Sequence, residues 1–331
     1  MPVQITIIGL GQIGASLGLA LAAHKDKVTT VGHDKDFGVE RLAQKNGVVD
    51  TTNHNLPSSV EEANVVILAV PVHQVRDTLG YIAQDLKKGT VVVDTTPIKA
   101  EVEKWAQEIL PDGVYYVGLV PAIGPDFLHE TGTGLDSAKA DLFSRSIFLL
   151  SAPHGTPGDV LQLVSGLVGL TGATAMNTDF AESDGLMSSA LLLPQLVSAS
   201  LINATTSQPG WQEVRKVASR SYYAATSAFT GQDEIESLQI LVLQNRENVM
   251  QKLDAMITAL VELRYDVEDA NEKALKERLK KAQDGRQNWL KERSAASWME
   301  AKREPIEKIT ISERLLGSLF SKPKDKDKKE K

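Results

Sequence analysis

A glycine-rich turn between a buried strand and a helix constrains this chain more than any other feature. Residues 3–8, VQITII, form an apolar, β-branched run that is typical of a buried strand. Small and apolar residues from Ala15 to Leu21 predict a helix a few positions later. The turn between the two has the G-x-G-x-x-G arrangement and consists of Gly9, Leu10, Gly11, Gln12, Ile13 and Gly14.

Each glycine of this turn has a physical reason to be there. Gly9 permits the tight turn, Gly11 lets a pyrophosphate approach the backbone, and Gly14 lets the helix pack closely on the strand. The free N–H groups at the start of the helix favour an anion. The turn therefore predicts a dinucleotide site, and the alternative is a plain glycine-rich turn without a ligand.

An acid follows the second predicted strand, which covers residues 27–32. Asp34 lies about 20 positions after Gly14, where a carboxylate can accept hydrogen bonds from the adenosine ribose and repel a 2′-phosphate. This position predicts NAD as the cofactor and leaves NADP open, because Lys35 beside it carries the opposite charge. The alternative is an ordinary surface aspartate after a strand.

Strands and helices alternate through the first half of the chain. Apolar runs of the kind expected for strands covered on both faces occur at residues 64–70, 89–94, 114–118 and 146–150. We expect an α/β fold with an N-terminal Rossmann-type, doubly wound parallel sheet, whose ligands bind at the carboxyl ends of the strands. Val70, Pro71 and Thr95 follow two of these strands and are predicted to contact the cofactor.

The second half of the chain is predicted to be all helical from Gly158 onward. Long helices are expected at residues 178–204, 232–263 and 266–289. The predicted domains are a dinucleotide-binding domain (1–153), a helical substrate and dimerisation domain (154–290), and a helical extension with a charged, disordered tail (291–331). Helices of this length often bury a face against a second copy, so a homodimer is the hypothesis for assembly.

Composition excludes several functions. The net charge is −7, which gives no reason to expect a nucleic-acid partner. The chain has no cysteine, so disulfides, cysteine-ligated zinc and thiol catalysis are excluded, and no histidine–carboxylate grouping has metal spacing. No leader segment and no apolar run long enough to span a membrane is expected, so a cytoplasmic location is predicted.

The order of the motifs resembles the prephenate/arogenate dehydrogenase family of tyrosine biosynthesis. After the glycine turn and Asp34 come NVVILAVPV, TVVVDTTPIK, VGLVPAIG and TGLDSAKADLF, and then LLLPQLVSASL and QNRENVMQKLDAM in the helical half. The resemblance implies a small-molecule substrate and an oxidative decarboxylation, in which a cyclohexadienol loses hydride to a nicotinamide and its ring carboxylate leaves as carbon dioxide. This chemistry needs a proton acceptor and cations that hold carboxylates.

The sequence departs from the family at the positions where those groups usually stand. Val120 replaces the histidine of the G-x-H-P motif, and Pro97 replaces the serine of the D-x-x-S-x-K loop. Leu192 and Gln195 occupy the places of histidines on the L-P-H helix. No lysine or arginine lies between residues 220 and 246, where the family has a T-R arginine, and all six histidines lie at or before residue 154.

Three residues are the candidates for catalysis. His129 lies in an expanded loop just after the Val120 strand, Lys99 keeps the family's position after the Asp94 loop, and Thr96 offers a hydroxyl at the same strand end. The alternatives are a surface histidine, a solvated first-turn lysine and a helix N-cap, respectively. His73, which follows the V-P-V turn, is expected to face solvent.

Three functions are compatible with these residues. Besides a divergent dehydrogenase of this family, they are a dehydrogenase acting on another small acid and a non-catalytic dinucleotide-binding protein.

Overall fold

The computed structural model describes residues 2–229, 235–296 and 298. Eight strands form one sheet, and thirteen α-helices lie in the described residues. The strands are β1 (Val3–Ile8), β2 (Val28–His33), β3 (Thr51–Thr52), β4 (Val65–Leu68), β5 (Val91–Asp94), β6 (Tyr115–Pro121), β7 (Ile147–Ser151) and β8 (Thr174–Asn177). The helices are α1 (Gln12–Ala22), α2 (Phe37–Lys45), α3 (Leu56–Val60), α4 (Val72–Ile82), α5 (Ala100–Ile109), α6 (Gly158–Leu170), α7 (Phe180–Met187), α8 (Leu193–Thr206), α9 (Trp211–Val217), α10 (Arg220–Thr226), α11 (Ile235–Gln244), α12 (Arg246–Glu268) and α13 (Glu272–Ala295).

The strand order of the sheet is β3-β2-β1-β4-β5-β6-β7-β8. All neighbours pair in parallel except β6 and β7, which are antiparallel. Ile8 at the end of β1 is in register with His33 of β2 and with Leu68 of β4. The loops that leave these strands therefore meet at one edge of the sheet, which confirms the predicted Rossmann-type architecture.

The central strands are buried on both faces, as their continuous apolar runs predicted. Every residue of β4 and β5 is buried. On one face the core contains side chains of α1 and α6, such as Leu17 and Val164, and on the other it contains side chains of α4 and α5, such as Leu79 and Val102. Helices on both faces explain why these strands lack the alternating polarity of a half-exposed sheet.

The sheet extends past the predicted domain boundary at residue 153. Strand β8 pairs with β7, and α6 is the helix that connects them, so the sheet reaches Asn177. The expectation of purely helical structure from Gly158 onward is therefore wrong. At the edge of the sheet, two of the four residues of β8 are exposed and two are partly buried, and the strand lacks the apolar run that marks a central strand.

Two predicted long helices are interrupted. The helix expected at residues 178–204 contains a π-helical turn, Ser188–Leu192, between α7 and α8. The helix expected at residues 232–263 is broken at Asn245, where φ is −107° and α11 gives way to α12. Both breaks lie beside contacts with other helices, which periodicity along the sequence does not reveal. The predicted tail lies almost wholly outside the described residues.

One helical stretch of the described residues, 180–206, is long and apolar enough to cross a membrane by length and composition. The expectation that no such run exists therefore needs correction. Only 22% of its most apolar window is buried inside the single chain. Glu182 and Asp184 lie near its start, and the buried Asp184 contacts another domain, as described below.

Candidate dinucleotide site and interdomain polar cluster

The glycine turn after β1 has the geometry that its sequence predicted. Gly9 has a φ of +91°, which favours glycine, and a Cβ there would lie 2.5 Å from the Ala69 carbonyl oxygen. A Cβ on Gly14 would lie 1.9 Å from the Gly9 carbonyl oxygen. These two glycines therefore allow α1 to start directly against the strand ends.

Gly11 differs from the other two glycines because the space beside it is open. A Cβ on Gly11 would meet nothing within 4 Å. Helix α1 begins at the next residue, and no side chain caps its first N–H groups and no acid lies in its first turn. The turn thus offers an uncapped, positively polarised helix end beside empty space, which fits a pyrophosphate.

Asp34 lies at the end of β2, beside this turn. Its Oδ2 accepts a hydrogen bond from the Leu10 backbone N–H at 2.8 Å, and its Oδ1 accepts one from the Asp36 N–H at 2.9 Å. These two bonds fix the plane of the carboxylate and leave each oxygen a further lone pair. The Asp34 carboxylate can therefore still accept hydrogen bonds from the hydroxyls of a ribose.

A cleft of about 420 Å³ joins the predicted cofactor residues. Gly9, Gly11, Asp34, Val70 and Pro71 all line it. Its remaining wall comes mainly from one face of α4, with Gln74, Asp77, Thr78 and Tyr81. The sequence did not point to this face, because its signal is an ordinary helix pattern and the wall forms only when α4 packs against the sheet.

The other predicted cofactor residues do not line the cleft. Leu10 is fully buried, so it can present only its backbone. Ile13 packs on the core, and Gln12 Nε2 donates to the Ser137 carbonyl at 3.3 Å. Thr95 Oγ1 donates to the Leu68 carbonyl at 2.9 Å, and the residue lines a small apolar gap between the sheet and α1 and α6.

A buried polar cluster lies at the carboxyl end of β5. The Lys99 side chain is wholly buried, and its ammonium donates to the Asp94 carboxylate and, at 3.0 Å, to the Asp94 carbonyl. Thr96 Oγ1 lies 3.0 Å from Asp94 Oδ2, and the Thr96 N–H donates to Asp94 Oδ1 at 2.9 Å. The predicted solvated alternative for Lys99 is therefore wrong, because its charge is neutralised inside the protein.

Asp184 of α7 connects this cluster to the helical part of the chain. Its carboxylate accepts hydrogen bonds from the Lys99 N–H at 2.6 Å and from the Ala100 N–H at 3.2 Å, so it caps α5 from the helical half of the chain. Helix α5 begins at Ala100, so the alternative of an N-cap formed by Thr96 is wrong. Asn245 Nδ2 donates to the Asp184 carbonyl at 2.8 Å and extends the network to the break before α12.

Burial dominates the electrostatics of the cluster. It lowers the pKa of Lys99, and the nearby Asp94 opposes this effect. It raises the pKa of Asp184, and it raises the pKa of Tyr116, whose hydroxyl lies 3.4 Å from Asp94 Oδ2. The cluster is a set of mutually paired groups, and a substrate carboxylate has no access to the Lys99 ammonium.

The positions at which the family resemblance implies histidines are apolar or buried here. Val120 lies in β6, buried and opposite Leu149 of β7. Leu192 is fully buried in the π-helical turn, and Gln195 is buried in α8. These side chains offer the cleft neither an imidazole nor a cation.

His129 lies apart from the buried cluster. It is exposed in the loop after β6, where the neighbouring Glu130 pairs with Lys139 at 3.0 Å. The same loop packs on α1, because the Lys139 N–H donates to Ser16 Oγ at 3.0 Å. Within the described residues no hydrogen bond joins His129 to Lys99 or Thr96, so the structure does not assemble the three predicted catalytic residues into one site.

His73 has a position that sequence reasoning missed. It is half-buried rather than facing solvent, and its Nδ1 lies 2.8 Å from Ser237 Oγ of α11. This contact joins α4 of the sheet domain to the helical part of the chain. No local signal could have shown it, because the two residues lie far apart in the sequence.

Taken together, a glycine turn, an acid after β2 and a helical second half define a two-domain dehydrogenase architecture. Residues 17–177 match the family model of the prephenate dehydrogenase nucleotide-binding domain. Residues 180–281 match the model of the prephenate dehydrogenase dimerization domain. The chain belongs to the prephenate dehydrogenase family.

Individual relatives agree with this assignment. The chain is 26% identical to the prephenate dehydrogenase of Bacillus subtilis over 284 residues, which cover 85% of this chain and 75% of that protein. It is 26% identical to the cyclohexadienyl dehydrogenase of Zymomonas mobilis, covering 86% and 94% of the two chains. The crystal structure of the A. aeolicus prephenate dehydrogenase, in complex with hydroxyphenyl propionate and NAD+, matches with a TM-score of 0.77 at 20% identity and covers 87% and 99%.

Proposed function

We propose that this protein is an NAD-dependent dehydrogenase that oxidises a cyclohexadienol of the prephenate or arogenate type. The observation that carries the proposal is the open, uncapped start of α1 beside Gly11, with the Asp34 carboxylate fixed next to it. The relatives named as prephenate and cyclohexadienyl dehydrogenases support the substrate class.

The cleft is proposed to hold NAD through a small set of groups. The N–H groups at the start of α1 face the pyrophosphate, Gly11 gives it room, and Asp34 accepts hydrogen bonds from the adenosine ribose. Val70 and Pro71 line the same cleft. NAD supplies the hydride acceptor, and the negative charge of Asp34 favours it over NADP.

Proton acceptance is proposed to involve His129. Lys99 and Thr96 are committed to Asp94, whereas His129 is open to solvent on the loop that follows β6. A loop histidine can act when the loop folds over bound substrate, because a neutral imidazole nitrogen can accept a proton. We assign Lys99 and Thr96 a structural role instead.

A second function is favoured by the buried state of Lys99. A substrate with two carboxylates needs cations, and the ammonium at the family's lysine position is neutralised by Asp94. A dehydrogenase of the same architecture acting on a different small acid is therefore the alternative. Turnover of that acid with no turnover of prephenate or arogenate would favour it.

The chain is proposed to form a homodimer. Separately, the boundary between its two domains is proposed to lie between residues 177 and 180. Helix α12 exposes a series of large apolar side chains in the single chain, namely Met250, Ile257, Leu260 and Val261. The residues of this helix belong to the segment that matches a dimerization domain. A second copy of the helical domain is the occupant that fits this face, and sedimentation velocity of I257E/L260E against wild type tests it.

The proposed activity is tested by NADH absorbance with purified protein, saturating NAD and either prephenate or arogenate. We expect NADH to form with one of the two and carbon dioxide to be released in equal amount. NAD binding without any NADH formation from either compound would contradict the proposed reaction.

A further inference from the structure

Behind the proposed ribose site lies a buried carboxylate, Glu40 of α2, which the function described above does not use. Its side chain is only 1% exposed. Oε1 accepts a hydrogen bond from the Asp34 backbone N–H at 3.0 Å, and Oε2 lies 3.0 Å from His54 Nδ1. His33 Nδ1 is hydrogen-bonded to the Asn53 carbonyl at 3.1 Å and lies 3.4 Å from Oε1. A buried carboxylate requires donors of this kind, because its desolvation is otherwise costly.

Glu40 completes the restraints on Asp34. The Asp34 main chain is held by Glu40, and the Asp34 carboxylate is held by the N–H groups of Leu10 and Asp36. Asp34 is thus fixed at both its backbone and its side chain before any ligand arrives. Such pre-organisation lowers the entropic cost of binding a ribose diol.

The charge of Glu40 also bears on which nucleotide fits. A 2′-phosphate at the ribose would meet the Asp34 carboxylate, with the buried Glu40 behind it. Other charged or titratable groups near this turn include the buried His33 and the exposed Lys35, Asp36 and His54, and Asp77 lines the same cleft. Salt screens a buried charge much less than an exposed one, so Glu40 keeps its effect at physiological ionic strength.

We propose that Glu40 is a positioning residue for the adenosine ribose, which fixes Asp34 through its main chain and whose charge adds to the rejection of a 2′-phosphate. This inference rests on the proposed function in one respect, that the cleft binds NAD. It goes beyond the role expected of Asp34, because Glu40 does not line the cleft and acts through another residue.

The test is calorimetric titration of the full-length protein with NAD and with NADP, for wild type, Glu40→Gln, Glu40→Ala and the exposed control Glu61→Gln. The amide in Glu40→Gln still accepts the Asp34 N–H, and His54 can present its other tautomer to the new NH₂ group. We expect Glu40→Gln to leave NAD affinity within about twofold and to tighten NADP about fivefold, since one repulsive charge is lost. We expect Glu40→Ala to weaken NAD about tenfold, since the restraint on Asp34 is lost.

Thermal unfolding without nucleotide, recorded for each variant, separates positioning from simple destabilisation. A purely structural Glu40 would lower the Tm and leave the ratio of the NADP and NAD dissociation constants unchanged, and that result would overturn the proposal. Equal tightening in Glu61→Gln would overturn it as well. If wild type binds neither nucleotide, the proposed function itself fails, and this outcome is distinct from an unchanged ratio in protein that binds NAD.

Discussion

The loops after β1 and β2 and those after β5 and β6 lie along the same edge of one sheet, yet they differ in kind. At the first pair, glycines leave space, helix N–H groups are uncapped, and Asp34 presents a carboxylate with free lone pairs. At the second pair, Lys99, Asp94 and Thr96 satisfy one another, and Val120 is buried in the sheet. The first pair of loops, the open region, leaves hydrogen-bonding groups available to a ligand. In the second pair, the closed region, the polar groups bind one another.

The contrast between these two pairs of loops indicates that binding of the cofactor and chemistry on the substrate depend on different kinds of groups. The backbone supplies most of the proposed nucleotide site, so that site would depend on a few glycines and one acid. The proposed chemistry requires a proton acceptor and cations, and the positions at which the family resemblance implies them are apolar or neutralised here. A fold can therefore keep its cofactor site while the residues that act on the substrate change.

The largest effect on stability is expected from removing the charge of Lys99 in the closed region. Lys99→Met leaves the Asp94 carboxylate buried without its cation, and such a loss lowers the free energy of unfolding by about 3–5 kcal/mol. Chemical denaturation measures it. The control Lys104→Met, which removes an exposed lysine paired with Glu101, changes stability by less than about 0.5 kcal/mol.

A double variant sharpens this prediction. Asp94→Asn/Lys99→Met removes both charges, so it should recover a large part of the stability that Lys99→Met loses. A loss of less than about 1 kcal/mol in Lys99→Met would show that the pair is not the buried structural unit described here.

The next effect concerns the loop after β6. If His129 accepts the proton, His129→Ala lowers turnover by about a hundredfold and leaves NAD affinity unchanged. The exposed His154→Ala is the matched control and should retain full turnover. Steady-state NADH formation measures both, and equal turnover in the two variants would remove His129 from the mechanism.

A somewhat smaller effect is expected at the open region. Gly11→Ala meets no neighbouring atom, so it should leave the Tm unchanged while its methyl group weakens NAD about thirtyfold by occupying the space for the pyrophosphate. A Cβ on Gly166 in α6 also meets no neighbouring atom, so the control Gly166→Ala should neither lower the Tm nor weaken NAD binding. Calorimetry measures the NAD affinity of both variants, and thermal unfolding measures their Tm. Unchanged NAD affinity in Gly11→Ala would show that the pyrophosphate does not bind beside Gly11.

The smallest effect is expected where α7 meets the break before α12. Asn245→Ala removes the hydrogen bond that Asn245 donates to the Asp184 carbonyl and the one that it accepts from Asn248. The variant should cost about 1–2 kcal/mol of unfolding free energy, although the Asp184 carbonyl keeps the Ser188 N–H as a donor. The exposed Gln244→Ala should cost almost nothing. Equal denaturation midpoints for the two variants would contradict the role assigned to Asn245.

The open region was predictable from sequence because its parts are local. Gly9, Gly11, Gly14 and Asp34 lie within one βαβ unit, so their spacing alone fixes their geometry. The central strands were predictable for a similar reason, since a continuous apolar run marks a strand buried on both faces. The edge strand β8 gave no such signal.

The closed region was not predictable, because its contacts are distant in sequence. Lys99 stands just before α5, a position where a lysine usually reaches solvent. Its backbone N–H donates to Asp184 of α7, and Asn245 in turn donates to the Asp184 carbonyl, so the network includes residues far along the chain. In the same way, the contact of His73 with Ser237 exists only because α11 packs on α4.

Calorimetric titration of the purified wild-type protein with NAD tests the proposed nucleotide site without any variant. We expect one site per chain with a dissociation constant in the micromolar range, and weaker binding of NADP. The absence of binding at millimolar NAD would contradict the proposal that this fold has kept a nucleotide site.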